Sequence, residues 1–251
     1  MRNDIVYILK EGLDPAELTY SLRSVDANFP HRKVWFVGYQ PEGLFPDGRI
    51  IHSQEGQNKW QRVRSSLEVL CSTEEVSEDF FLFNDDFFIL TRQRGQFVNF
   101  SNGTLEKRIN DLERKYGRPT KYSREMLRLR LELIIKNLDT VSFALHLPML
   151  MNKEALEKTL KNFDTPMFRS AYGNFNNIPY RSHIDVKIYD DTSLPDGDWE
   201  YLSTTESSFQ NGKVGEFIRA MFPEPSRFEG GHKAEIRELY SEEGDETYDG
   251  Q

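Results

Sequence analysis

A single cysteine, Cys71, serves all 251 residues. That excludes a disulfide within the chain and any cysteine-based zinc centre. Cys71 follows Val69-Leu70 in a helical pattern and reads as an inert core thiol. No apolar run approaches the roughly 20 residues that span a bilayer, and Met1–Tyr7 has no secretory apolar stretch. A cytoplasmic protein is the expectation. Positive charge is also short: 32 Lys and Arg face 41 Asp and Glu, a formal net charge of −9. Bulk charge therefore opposes non-specific binding to nucleic acid or an anionic membrane. Aromatic residues are plentiful, with 18 Phe. They are densest in Phe80-Phe81-Leu82-Phe83-Asn84-Asp85-Asp86-Phe87-Phe88-Ile89-Leu90, where two adjacent carboxylates interrupt an apolar run. Asn and Asp are poor strand formers, and a buried carboxylate needs a partner or a cation. The run therefore reads as a buried strand ending near Phe83, with Asn84, Asp85 and Asp86 on the turn at its carboxyl end. That edge is where open α/β sheets bind ligands. Hard oxygen ligands there suit Mg²⁺ or Mn²⁺ on a diphosphate. A plain β-turn whose Asx side chains bond their own backbone is the bland alternative.

The rest of the chain supplies a frame for that turn. Ile5–Leu9 and Val34–Gly38 are short apolar runs typical of buried parallel strands. Between them Asp14 caps a helix over about 15–27, with Pro15 at its first position. A short strand is expected over 49–52, and a helix through Trp60, Val63, Leu67 and Leu70. This β-α-β order implies an α/β fold: a mostly parallel, Rossmann-like or GT-A-like sheet flanked by helices. Two charge-dense helical segments over about 103–137 form an insertion. Between Glu106 and Arg130 nine Lys and Arg oppose four Asp and Glu, either a solvated hairpin or a basic wall facing phosphate. Asn152 caps a helix over 153–163. Phe168–Asn177 reads as an ordered loop leading into a helix or turn, His183–Tyr189 and Trp199–Leu202 as strands, and Gly212–Phe222 as an amphipathic helix with Met221 inward. Residues 1–232 are expected to form a single catalytic domain, and 233–251 a weakly ordered acidic tail.

Four separated blocks resemble the characteristic regions of the Stealth family. The first is Asp4-Ile5-Val6-Tyr7 with Glu17-Leu18-Thr19-Tyr20-Ser21-Leu22-Arg23-Ser24-Val25, and the second Phe81–Phe88. The third is His146-Leu147-Pro148 with the later Phe168-Arg169-Ser170. The fourth is Phe222-Pro223-Glu224-Pro225-Ser226-Arg227-Phe228-Glu229. Members transfer sugar-1-phosphate from nucleotide sugars to glycans; they include bacterial capsule polymerases and the lysosomal-enzyme GlcNAc-1-phosphotransferase. The chain departs from the pattern twice. Ile8–Asp14 replaces the family's Thr-Trp-Val-Asn/Asp-Gly-Ser-Asp, and Leu202–Glu206 replaces its second Asn-Asp element.

The resemblance implies a nucleotide-sugar donor, most simply a UDP-sugar, and a hydroxyl acceptor on a glycan or other polymer. It implies that Asp85 and Asp86 hold Mg²⁺ or Mn²⁺, with Asp86, His146 and Arg169 catalytic. His146 would be the general base or, less simply, a nucleophile. Tyr7, Arg23, Asn84, Asn174 and Lys59 form the expected donor- and phosphate-binding set. Two alternatives stand beside this reading: a metal-dependent glycosyltransferase moving the sugar alone, and a binding module that has lost catalysis. DNA is an acceptor that the basic 107–130 stretch allows but that nothing else in the sequence favours. Taken without the family, His146 also reads as a core histidine, and Arg23 and Arg169 as structural cations.

Overall fold

The computed structural model describes residues 3–230 except 53 and 196; the expected acidic tail lies outside the described residues. In chain order the elements are β1 (Asp4–Ile8), α1 (Pro15–Asn28), β2 (Val34–Gly38), β3 (Gly48–Ile51), α2 (Lys59–Ser72), β4 (Asp79–Phe83), β5 (Phe87–Ile89) and β6 (Asn99–Ser101). There follow α3 (Leu105–Tyr116), α4 (Lys121–Ile135), β7 (Met149–Asn152), α5 (Lys153–Asn162), α6 (Phe168–Phe175), β8 (Tyr180–Ser182), β9 (Lys187–Ile188), β10 (Tyr201–Thr204), α7 (Glu206–Asn211) and α8 (Lys213–Met221).

The central sheet has the order β3-β2-β1-β4-β7. Its first four strands are parallel and β7 runs antiparallel to β4, pairing Phe80 with Met151. The fold is thus mixed α/β, a mostly parallel sheet flanked by helices. Strand alternation divides its core in two. Ile5, Tyr7, Phe36, Phe81 and Phe83 face Leu18, Leu22 and Val25 of α1. Val6, Trp35, Val37, Phe80 and Leu82 face Leu67 and Leu70 of α2 and Leu156 and Leu160 of α5. Asp14 caps α1, its side chain accepting from Ala16 N, with Pro15 at the first position. The start of β1 carries a second polar anchor. Asp4 is wholly buried. It accepts from Arg32 Nε (2.7 Å) and Nη2 (2.6 Å), from Trp35 Nε1 (2.9 Å) and from Ser77 N (2.9 Å).

A second sheet, β5-β10-β9, packs through Phe88, Ile188 and Leu202 onto Phe209, Val214 and Ile218 of α7 and α8. The insertion is a helical hairpin. Leu105 and Ile109 of α3 and Met126, Leu129 and Leu133 of α4 close on Met167 and Ala171 beside and within α6. Both ends of this hairpin are stitched together: Thr104 bridges Val141, and Leu105 N donates to Thr140 O (2.8 Å).

Several expectations shift. Residues 168–175 form helix α6 rather than a loop, despite Gly173 and Asn174, which are poor helix formers. Gly173 is required because a Cβ there would overlap the Phe143 ring. Of His183–Tyr189 only Lys187–Ile188 is strand, paired with Ser203 and Thr204 at the end of β10, which begins at Tyr201 rather than Trp199. Met221 is 40% exposed at the end of α8 instead of inward. β5, β6, β7, β8 and α7 are additional elements. Cys71 is partly buried in the α2 core cluster, and burial pushes its thiol up to about 12, as an inert thiol requires. Among the described residues no helix is long and apolar enough to cross a membrane.

Candidate active site

The Asn84-Asp85-Asp86 turn joins β4 of the main sheet to β5 of the small one, at the carboxyl edge of the parallel strands. Its neighbours come from far along the chain. Lys187, at the start of β9, donates to Asp86 Oδ2 at 2.5 Å, both side chains being 13% exposed. Asp86 Oδ1 is buried and bonds nothing among the described residues. Burial and the neighbouring Asp86 charge raise the Asp85 pKa, against the pull of Lys187 and Lys10. Glu17, on the first turn of α1, completes an acidic cluster. Burial, with Asp86 and Asp85 close by, pushes it up to about 7, while Thr204 Oγ1 donates to its Oε1 at 2.5 Å.

Helix α6 delivers the opposing charge. Arg169 Nη1 donates to Leu147 O (2.7 Å) and Nη2 to Asn84 Oδ1 (3.2 Å), with the guanidinium 5.6 Å from the Phe87 ring centroid. Burial lowers its pKa to about 10, so it stays a cation at neutral pH. Arg169 thereby ties the Asp turn to the segment carrying His146. There Asp185 meets His146 Nδ1 at 2.9 and 3.1 Å and also accepts from the His146 backbone N at 3.3 Å. A carboxylate only accepts, so Nδ1 carries the hydrogen, and in the neutral ring Nε2 is the nitrogen with the lone pair. Although burial acts the other way, the hydrogen bond and charge of His146 hold Asp185 below the usual carboxylate range.

Of the residues singled out in the sequence, Asn84, Asp85, Asp86, His146 and Arg169 converge. Four others do not share in the cluster's bonding. Arg23 is taken by Glu229, donating from Nε (2.9 Å) and Nη2 (2.6 Å), and by the carbonyls of Phe222 and Pro223. The first and fourth sequence blocks thus meet as one structural clamp on α1. Asn174 is buried and spends its amide on Val141 N, Val141 O and Ser170 O. Tyr7 is fully buried; its hydroxyl pairs with Ser21 Oγ (2.9 Å), which donates to Phe87 O. It supports the turn from beneath. Lys59 is an exposed first-turn residue of α2, next to Trp60, whose ring stacks on Phe168 at 5.7 Å.

Sequence reasoning missed Glu17, Asp185, Lys187 and Thr204 as site residues. A signal existed for two. In the alternation of residues 184–188, Asp185 and Lys187 fall opposite Val186 and Ile188. Thr204 lies within the segment replacing the family's second Asn-Asp element.

A bound metal is testable against this geometry. Among the described residues no three His, Cys, Asp or Glu side chains gather as a metal-holding group. Two features still fit one ion held mainly by substrate and water: the unpartnered Asp86 Oδ1, and the raised Asp85 carboxyl beside it. Lys187 already supplies one fixed positive charge. A cavity of about 880 Å³ near Phe29, Arg92, Arg94 and Tyr201 holds none of these groups.

No family model matches the chain, and no curated protein does. Among solved structures, the glycosyltransferase GlyE of Streptococcus pneumoniae TIGR4 aligns with 100% of this chain and 66% of its own, at 9% identity and a TM-score of 0.45. Its apo form aligns with 97% of this chain and 64% of its own, at 10% identity and a TM-score of 0.41. The chain therefore spans about two thirds of the length of those structures. Similarity at this level carries no information about the chemistry.

Proposed function

We propose that the chain is a nucleotide-sugar-dependent transferase that moves a sugar-1-phosphate to an acceptor hydroxyl, a divergent relative of the Stealth enzymes. The convergence of Asp85-Asp86, Arg169 and the His146–Asp185 pair at one sheet edge carries the reading. A transfer from a diphosphate needs positive charge on the phosphates, a base at the acceptor hydroxyl and in-line positioning. Arg169 and Lys187 supply cationic donors, the guanidinium fork suiting phosphate oxygens. Asn84 fixes Arg169 and offers its own amide to the sugar. Asp85 and Asp86 Oδ1 would hold Mg²⁺ or Mn²⁺, which when bound neutralises the diphosphate.

His146 Nε2 takes the acceptor proton, and Asp185 stabilises the imidazolium that forms. The acceptor oxygen bonds to the phosphorus that carries the sugar. The bond from that phosphorus to the bridging oxygen breaks, and nucleoside monophosphate leaves. In the alternative glycosyl transfer the sugar carbon is attacked and nucleoside diphosphate leaves.

The deciding experiment is a screen of nucleotide sugars with Mg²⁺ or Mn²⁺, read by the mass of released nucleotide. Monophosphate together with an acceptor gaining sugar plus phosphate is the expected result. Diphosphate release would convert the reading to a glycosyltransferase, and nucleotide-sugar binding without turnover to a binding module. His146→Ala should lower the turnover rate by about 10²–10⁴-fold, the usual weight of a general base, and change donor affinity little. An unchanged rate would return His146 to the core.

A further inference from the structure

The helical hairpin is more than a solvated insertion. Its charge-dense face reaches the His146–Asp185 pair. With the Asn102 amide oriented to satisfy both neighbours, Asn102 accepts from Arg108 Nε (3.0 Å) and donates to Ser142 Oγ (2.8 Å). These bonds tie Arg108 of α3, through Asn102, to the segment leading towards His146. Among the described residues the terminal nitrogens of Arg108 make no hydrogen bond, and Arg108 acts electrostatically on Asp185, Tyr122 and Tyr189. Tyr122, from the first turn of α4, interacts electrostatically with Asp185, Arg108 and Arg169. Tyr189, just after β9, carries Lys115 Nζ at 5.5 Å from its ring centroid. Both tyrosines keep much of their surface open, 44% and 58%.

Two open aromatic side chains and an anchored guanidinium with unused donors thus lie on the Asp185 side of the proposed base, with Arg108 and Lys115, seven residues apart, on one face of α3. The diphosphate belongs at Asp85-Asp86, Lys187 and Arg169. We propose that Arg108, Tyr122 and Tyr189 form the acceptor subsite, and that it takes a saccharide carrying an anionic group, phosphate or carboxylate, near the reacting hydroxyl. The tyrosines cover the apolar ring face of the sugar and Arg108 pairs with the anion. The inference rests on the reading of His146 as the acceptor's base.

The test uses the full chain and saturation-transfer NMR with glucose 6-phosphate, glucuronate and methyl glucoside, alongside UDP binding. The two charged sugars should bind about tenfold more tightly than the neutral one, the scale of one charge-assisted hydrogen bond. Arg108→Gln should erase that preference. Tyr122→Ala and Tyr189→Ala should weaken all three sugars alike, and Tyr122→Phe should not. UDP affinity should be the same in every variant. Equal binding of charged and neutral sugars, or a preference that survives Arg108→Gln, overturns the subsite. Failure of wild type to bind UDP, ADP, GDP or CDP counts instead against the nucleotide-sugar reading, whatever the sugars do.

Discussion

Asp4 and Asp86 lie at opposite edges of the parallel β1–β4 pair, each against a cation, yet their surroundings differ in kind. Asp4 has both oxygens filled by Arg32, Trp35 and Ser77, and these bonds hold its pKa low despite complete burial. Asp86 has one lysine on one oxygen, nothing among the described residues on the other, and two further carboxyls crowding it. A satisfied carboxylate holds a fold together. An under-satisfied one among like charges stores unfavourable energy that a ligand can relieve, which is why such clusters mark working sites.

Four substitutions press on that contrast. The largest effect is expected for Asp86→Ala: turnover falling by about 10³–10⁴-fold, roughly 4–5 kcal/mol of transition-state stabilisation. Its unfolding free energy should stay within about 1 kcal/mol of wild type, because relief of crowding offsets the lost Lys187 pair. Retained turnover would end the phosphate-site reading. Asp4→Ala should do the reverse, costing about 2–4 kcal/mol in a urea titration by stranding Trp35 Nε1 and Ser77 N. The folded fraction should keep its specific activity. Arg23→Ala comes next, losing about 2–3 kcal/mol through its bidentate bond to Glu229. Donor affinity should not move; a large rise in donor KM would restore Arg23 to the phosphate-binding set.

The smallest effect belongs to Glu17. Its pKa rises from an ordinary 4.5 to about 7 on folding. The folded chain therefore holds a proton that the unfolded chain has released between those values, and stability falls as pH rises from about 4.5 to 7. Below about 4.5 both states are protonated, and above about 7 the penalty is complete. Glu17→Gln should accordingly stabilise by about 1–3 kcal/mol at pH 8 and by almost nothing at pH 4. A gain at low pH only would contradict the cluster.

The Asp turn was legible because Asn and Asp break an aromatic run in a way no ordinary strand tolerates. The α1 cap was legible because Asp14-Pro15 fits a helix start. Helix α6 was not, since Gly173 and Asn174 serve tertiary contacts with Phe143 and Val141 rather than helix propensity. Glu17 looked like an ordinary first-turn acid on α1; only the return of β10 brings Thr204 to it. Asp185 and Lys187 act through neighbours 39 and 101 positions away, and no local spacing encodes such pairings. Arg23 lies in a block that resembles the family's, yet its guanidinium bonds Glu229 and the carbonyls of Phe222 and Pro223, pairings that no local spacing encodes.

The stitching of Thr104 and Leu105 to Val141 and Thr140 has a consequence for how the molecule could change. An insertion whose entry and exit touch behaves as a cassette. Closing so short a gap adds little loop entropy, so the hairpin could be shortened, lengthened or exchanged without re-registering β6 or β7. The cost would fall on Phe163, Met167 and Ala171, which it covers. A different hairpin would leave the Asp85-Asp86 edge in place while changing the side chains set beside Asp185 and Tyr189.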